Sequence, residues 1–174
     1  MRIFDAGCGS GRNLVYLLRE RYEVYGVDAD ARAVAATRRL AGSDHFREEP
    51  LEAMSFPDAF ADVVISSAVL HFAGDDAHFG AMLHGTWRVL KPGGLFFCRL
   101  ASTIGIEGQV RPLGGRRFLL PDGSERYLVD EAMLMRLTDE LGGELLDPLK
   151  TTVVQNQRSM TTWVVRKNDV PVRS

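Results

Sequence analysis

Apolar residues along the chain fall into short continuous runs that alternate with stretches of helical spacing, which predicts strands and helices in turn. Ile3 and Phe4 begin a first strand that Asp5 closes. Gly7, Gly9 and Gly11 follow at every second position, and Leu14, Leu17 and Leu18 then mark one helical face. Val24 to Val27 form a second strand ending in Asp28. From Asp30 to Leu40, Ala33, Val34, Thr37 and Leu40 recur at helical spacing, and Gly42 stands where a C-cap glycine belongs. His45 to Glu48 is a weak strand with Phe46 as its only large apolar residue. Phe60 to Ser67 is almost continuously apolar, as expected of a parallel strand covered on both faces.

The second half continues the alternation less regularly. Asp75 or Asp76 starts a helix whose Phe79, Met82, Leu83 and Trp87 form a core face, and Lys91-Pro92-Gly93-Gly94 stops it. Leu95 to Leu100 is the fifth strand. Periodicity fades from Ala101 to Gly115, which predicts an irregular loop over the crevice that the glycine turn and the carboxyl end of the fourth strand should share in an open α/β sheet. Phe118 to Leu120 and Arg126 to Val129 flank the turn Pro121-Asp122-Gly123-Ser124, giving a small hairpin. Asp130 then caps a helix carrying Met133, Leu134, Leu137 and Leu141, ended by Gly142-Gly143. Two last strands, about Leu149 to Gln155 and Met160 to Arg166, read as an antiparallel hairpin, and Asn168 to Ser174 as a loose tail.

The glycine turn is where chemistry enters. It lies between a strand and a helix, where the chain must reverse tightly and a ligand can touch bare backbone near the amides that open the helix. Asp28, at the end of the next strand, is placed to accept hydrogen bonds from both hydroxyls of a ribose. A dinucleotide fingerprint would need a third glycine where Arg12 stands, so the spacing points to a different nucleoside ligand.

Composition narrows the remaining classes. The chain has 174 residues, 45% of them hydrophobic, enough for one domain with a sizeable core. A formal charge of −2 argues against a generally basic nucleic-acid-binding surface. No apolar run reaches the ~20 residues needed to cross a bilayer, and the first residues enter a strand without a signal-peptide pattern, so a cytoplasmic location is expected. Cys8 and Cys98 lack a metal-ligand spacing and read as buried reduced thiols. His78 and His84 are six apart and share no helical face, so no metal is expected.

The D-x-G-x-G-x-G pattern of Asp5, Gly7, Gly9 and Gly11, followed by Asn13 and Asp28, resembles the class I S-adenosylmethionine (SAM)-dependent methyltransferases. VVISSAVLHF (Val63 to Phe72) and LKPGG (Leu90 to Gly94) add to the resemblance, which runs from Met1 to about Lys167. Within that class the chain resembles compact bacterial members such as the tellurite-resistance type. The resemblance implies an α/β Rossmann-like fold with a seven-stranded, mostly parallel sheet, helices on both faces and a C-terminal antiparallel hairpin. It places one domain over 1–167, with 101–129 as a loop and hairpin insertion near the active site. It also implies SAM as cofactor and a small-molecule methyl acceptor.

Residue roles follow from the same resemblance. Asp28 is assigned to the ribose, and the turn residues Gly7, Cys8, Gly9, Gly11, Arg12 and Asn13 to the methionine and ribose portions. Asp5 either positions the methionine amino group or stabilises the turn. Ala29 and Leu51 are adenine neighbours or packing residues, with Pro50 standing where related chains often carry an acid and Glu49 as the nearest replacement. Ser66 and Ser67 line the methyl-donor end or pack the strand. His71, expected at the crevice, is the catalytic candidate, its alternative being a structural hydrogen bonder at a bend.

Arg111, Arg116 and Arg117 either receive an anionic acceptor or face solvent, and Tyr127 and Phe118 either wall the acceptor pocket or pack the hairpin. Two rivals remain: a SAM-binding subunit without transferase activity, and a nicotinamide-dependent oxidoreductase. Related chains usually carry a segment ahead of the first strand that covers the site. Its absence here predicts an open site, a mobile Ala101 to Gly115 loop, and closure by the Ala101 to Tyr127 segment, by a second subunit of a homodimer, or by residues absent from this version of the chain.

Overall fold

The computed structural model describes residues 1–169, so 170–174 of the expected tail lie outside the described residues. Strands β1 (Arg2–Ala6), β2 (Glu23–Asp28), β3 (Phe46–Glu48), β4 (Ala61–Ser67) and β5 (Leu90–Ala101) pair in parallel in the order β3-β2-β1-β4-β5. The intervening helices are α1 (Val15–Arg19), α2 (Ala31–Ala41) and α3 (Asp76–Arg88). Strand order reverses between β1 and β4, and in open α/β sheets ligands bind beyond the carboxyl ends of the strands at such a reversal.

The longer helices α2 and α3 each begin where a short polar side chain can take free amides. Asp30 accepts from the Arg32 and Ala33 amides, Asp75 from that of His78. Gly42 ends α2 at φ 61°, as its position in the sequence predicts. The first helix is shorter than its leucine spacing suggests: a 3-10 turn over Arg12–Leu14 leads into the single-turn α1. The Lys91-Pro92-Gly93-Gly94 turn lies inside β5. Register jumps from the Ala61–Leu90 pair to the Val63–Leu95 pair, and Gly93 at φ 73° lets the extra residues bulge out.

The segment after β5 is more ordered than its faded periodicity predicts. β6 (Arg111–Gly114), β7 (Arg117–Leu119) and β8 (Glu125–Tyr127) form a separate three-stranded antiparallel sheet, so the expected hairpin gains a strand. Ile106 is fully buried, and the Ser102 and Thr103 amides donate to Ser159 and Val129 carbonyls. Tyr127 stacks on Phe79 and donates its hydroxyl to Asp76 at 2.7 Å, fastening the small sheet to α3. It is therefore a packing residue.

α4 (Glu131–Glu140), capped by Asp130, precedes β9 (Gly143–Leu145), β10 (Lys150–Val154) and β11 (Arg158–Lys167). β11 runs antiparallel to β5 and β10 antiparallel to β11, which completes the expected hairpin. The seven-stranded path is joined by the short β9 on β11, which the glycine-rich sequence hid. Adjacent β2 residues Val24 and Tyr25 belong to different apolar clusters, one with α1 and α2 and the other with α3 and α4. Helices thus cover both faces. Among the described residues no helix is long and apolar enough to cross a membrane.

One contact connects this packing to the site. Gly85 of α3 lies against a 3-10 turn, Leu51–Ala53, so closely that a Cβ there would be 2.1 Å from the Leu51 carbonyl oxygen. Backbone cannot swing aside as a side chain can. Gly85→Ala is expected to lower unfolding free energy by about 1–3 kcal/mol despite its better helix propensity, read from urea denaturation. An unchanged or raised midpoint would show that α3 slides freely over this turn.

Candidate functional site

The turn after β1 is held from two sides. The Gly7 and Cys8 amides both donate to the Val27 carbonyl at 2.9 Å, and the Thr37 hydroxyl of α2 donates to the Gly9 carbonyl at 2.7 Å. Gly7, at φ 92°, touches the β4 end so closely that a Cβ would lie 2.4 Å from Val69 Cγ2. Gly11 serves packing: a Cβ there would meet Leu40 and Thr37, and it does not line the cavity.

Asp28 joins this turn to the end of β2. One carboxylate oxygen accepts from the Gly9 amide and the other from the Asp30 amide, each at 2.9 Å. Each oxygen keeps a lone pair for a further donor. Beside it opens a cavity of about 590 Å³. Gly7, Cys8, Gly9, Arg12, Asn13, Asp28, Ala29, Leu51 and Ser67, nine of the residues the sequence assigned to a cofactor, all border it.

Asp5 and Ser66 do not line this cavity. Asp5 has no exposed surface, and neither carboxylate oxygen has a hydrogen-bond partner. Burial, reinforced by the charge of Asp28, pushes its carboxyl up to about 7. Ser66 is fully buried opposite Cys98 in the β4–β5 register and does not line the cavity. Glu49 borders it, but Ser55 donates its amide to one carboxylate oxygen and its hydroxyl to the other. Burial first, then Asp5 and Asp28, push the Cys8 thiol up to about 12, so it stays protonated and unreactive.

His71 occupies a second cavity of about 370 Å³, which shares Arg12 and Ala68 with the first. Its Nδ1 accepts the Ala101 amide at 3.1 Å, so the ring proton of the neutral form sits on Nε2. Burial, then Arg126 and Arg99, push its pKa down to about 4. A general base would need a free lone pair, and here the one available is already engaged. The arrangement suits a neutral donor.

The family model described as a methyltransferase domain matches residues 4–98, more than half of the chain. The chain belongs to the class I SAM-dependent methyltransferases. It is 29% identical over 160 residues to the ubiquinone biosynthesis O-methyltransferase of a Bradyrhizobium strain, covering 82% of this chain and 61% of that one. The fold is similar to a SAM-dependent methyltransferase of Methanosarcina mazei at TM-score 0.80 and 21% identity, covering 96% and 92% of the two chains. It is also similar to the Burkholderia thailandensis 1,6-didemethyltoxoflavin N1-methyltransferase, solved with that substrate and S-adenosylhomocysteine, at TM-score 0.74 and 20% identity, covering 97% and 71%. The chain spans between 39% and 61% of the length of three curated relatives it matches.

Other residues, which the sequence did not assign to the cofactor, border the same cavity. Pro50, Val69, Phe72 and Met82 border the first cavity, Met82 from a helical face that reads only as core. His78 borders it too, with Nδ1 accepting the Gly74 amide and Nε2 3.4 Å from Glu52. None of the residues from 101 to 129 lines this cavity, so the small sheet does not cover it. That sheet overhangs the second cavity through Leu120, Asp122, Ser124 and Arg126.

Asp5 makes the stability of the chain depend on pH. Its ordinary value is 3.8 and its folded value about 7, so between them the native state holds a proton the unfolded chain has released. Stability from the protonated carboxyl is complete below about 3.8 and lost as pH rises through about 7. His71 acts oppositely: its folded value lies below 6.5, so its contribution is complete above about 6.5 and lost as pH falls through about 4. A comparison with Asp5→Asn isolates the first group. The variant's stability minus that of the wild type is expected to increase from about pH 4 to about pH 8 in urea titrations. A difference that stays constant with pH would mean that the Asp5 carboxyl titrates normally.

Proposed function

We propose that this methyltransferase binds SAM in the first cavity and transfers its methyl group to a small-molecule acceptor. The observation that carries the reading is the grouping of bare glycine backbone, the Asp28 carboxylate and an apolar wall around one cavity of about 590 Å³, with the unpaired Asp5 carboxyl two residues before Gly7. Ala29, Pro50, Leu51 and Met82 offer that wall to an adenine. Asp28 has lone pairs left for ribose hydroxyls. The Gly7 and Gly9 backbone admits close approach, and an ammonium near Asp5 would meet the buried carboxyl that lacks a partner.

SAM supplies a methyl group already activated on a sulfonium. The chain therefore has to hold and orient rather than to generate a nucleophile, and orientation alone is worth an effective molarity of about 10⁵–10⁸ M. A base is required only for an acceptor that arrives protonated. An oxidoreductase reading is weaker, because Arg12 replaces the glycine on which close helix–strand packing in a dinucleotide fold depends. A SAM-binding subunit without transfer predicts the same binding and no product with any acceptor.

Calorimetric titration with SAM, S-adenosylhomocysteine and NAD(P) tests the cavity, and an acceptor screen with labelled SAM tests transfer. SAM and S-adenosylhomocysteine are expected to bind, and Asp28→Ala to weaken them by about 10–150-fold, as loss of hydrogen bonds to a charged acceptor of about 1.5–3 kcal/mol implies. A folded Asp28→Ala protein with undiminished affinity, or NAD(P) binding tighter than SAM, would overturn the assignment.

A further inference from the structure

The second cavity collects four guanidinium groups. Arg12 comes from the glycine turn, Arg99 from β5, Arg126 from β8 and Arg158 from the start of β11. The chain as a whole carries a formal charge of −2, so this concentration is local. Other arginines are tied into the fold: Arg88 to Asp58, Arg116 to Asp130 and the Leu128 carbonyl, Arg117 to Glu125 and the Ala73 carbonyl. Among the described residues, none of the four cavity arginines forms an ion pair within 4.0 Å.

Arg126 is held in place without being neutralised. It lies 4.8 Å over the Phe72 ring and donates to the Glu125 carbonyl at 2.7 Å. The cavity has one carboxylate, Asp122, whose Oδ1 accepts both the Ser124 amide at 2.9 Å and the Ser124 hydroxyl at 2.6 Å. Four positive groups against one negative leave an excess that His71, neutral and offering Nε2–H, does not offset. A bare excess of guanidinium charge around one cavity suits a carboxylate or phosphate, which a guanidinium fork can engage with two parallel hydrogen bonds.

Arg12 and Ala68 line both cavities, so a molecule anchored in the second lies next to the first. We infer that the second cavity holds the carboxylate or phosphate of an anionic methyl acceptor on Arg99, Arg126 and Arg158, with the His71 Nε2–H as a neutral donor. The rest of the acceptor then extends past Arg12 and Ala68 toward the methyl donor. This rests on the SAM reading of the first cavity. His71 serves to position the acceptor, and the specificity for an anion belongs to the arginines.

The test uses the full chain with benzoate, phenyl phosphate and, as the uncharged control, benzamide, titrated with and without S-adenosylhomocysteine. One anion or both should bind saturably and more weakly as salt is raised, with benzamide about tenfold weaker or worse. Tighter benzoate identifies a carboxylate site, tighter phenyl phosphate a phosphate site. Arg126→Gln/Arg158→Gln, on half-buried and exposed positions, should keep the melting temperature and S-adenosylhomocysteine affinity while anion affinity falls about tenfold or more. Benzamide binding as well as the anions, no saturable anion binding, or anion affinity unchanged in the double variant would each overturn the inference. If S-adenosylhomocysteine fails to bind while the anions bind through the arginines, it is the methyl-donor reading that falls.

Discussion

The carboxylate of Asp28 ties the site together, because one side chain accepts amides from two different segments, the glycine turn at Gly9 and the entry to α2 at Asp30. The turn must approach β4 as well, and the absence of a side chain at Gly7 permits its contact with Val69. Each constraint needs the other. If the turn stood further from β2, Asp28 would lose a partner, and if Gly7 carried a Cβ, the turn would be pushed off β4. The first cavity is the space left between these fixed segments and the turn that Gly85 allows α3 to approach.

Buried charge is handled in opposite ways on the two sides of this frame. Asp5 lies under the turn with no donor, and its carboxyl is held toward the neutral form by burial. Such an unpaired group weakens the isolated fold and favours whatever cation later meets it, the usual arrangement where a site is prepared for a ligand at some cost in stability. His71 is kept neutral by burial and by nearby guanidinium groups. A suppressed negative charge thus lies beneath the turn that lines the first cavity, whereas the second is lined by positive groups.

The segment from 101 to 129 is the clearest case of tertiary structure adding what periodicity does not carry. Its short strands alternate too few residues to register as a pattern, yet Tyr127 bonds Asp76, Ile106 is fully buried and Arg117 reaches the Ala73 carbonyl. These contacts place the small sheet beside the second cavity and off the first. Arg116 and Arg117, which composition offers as anion receivers, are used instead to hold this sheet. Arg111 is exposed on its outer strand.

By itself the sequence determined the parallel strand order's building blocks, the glycine turn, the Asp28 position and the terminal hairpin, since each depends on local periodicity, on backbone freedom at a few glycines, or on neighbours close in the chain. Nine of the residues it marked for a cofactor, from Gly7 to Ser67, do border one cavity. Tertiary structure alone decided that Gly11 packs against α2, that Ser66 is buried opposite Cys98, and that His71 spends its lone pair on the Ala101 amide. It also decided which arginines gather at the second cavity without an ion pair among the described residues. Arg12, Arg99, Arg126 and Arg158 stand on four separate elements, and whether a guanidinium meets a carboxylate or a cavity depends on partners far away in the chain that no local pattern encodes.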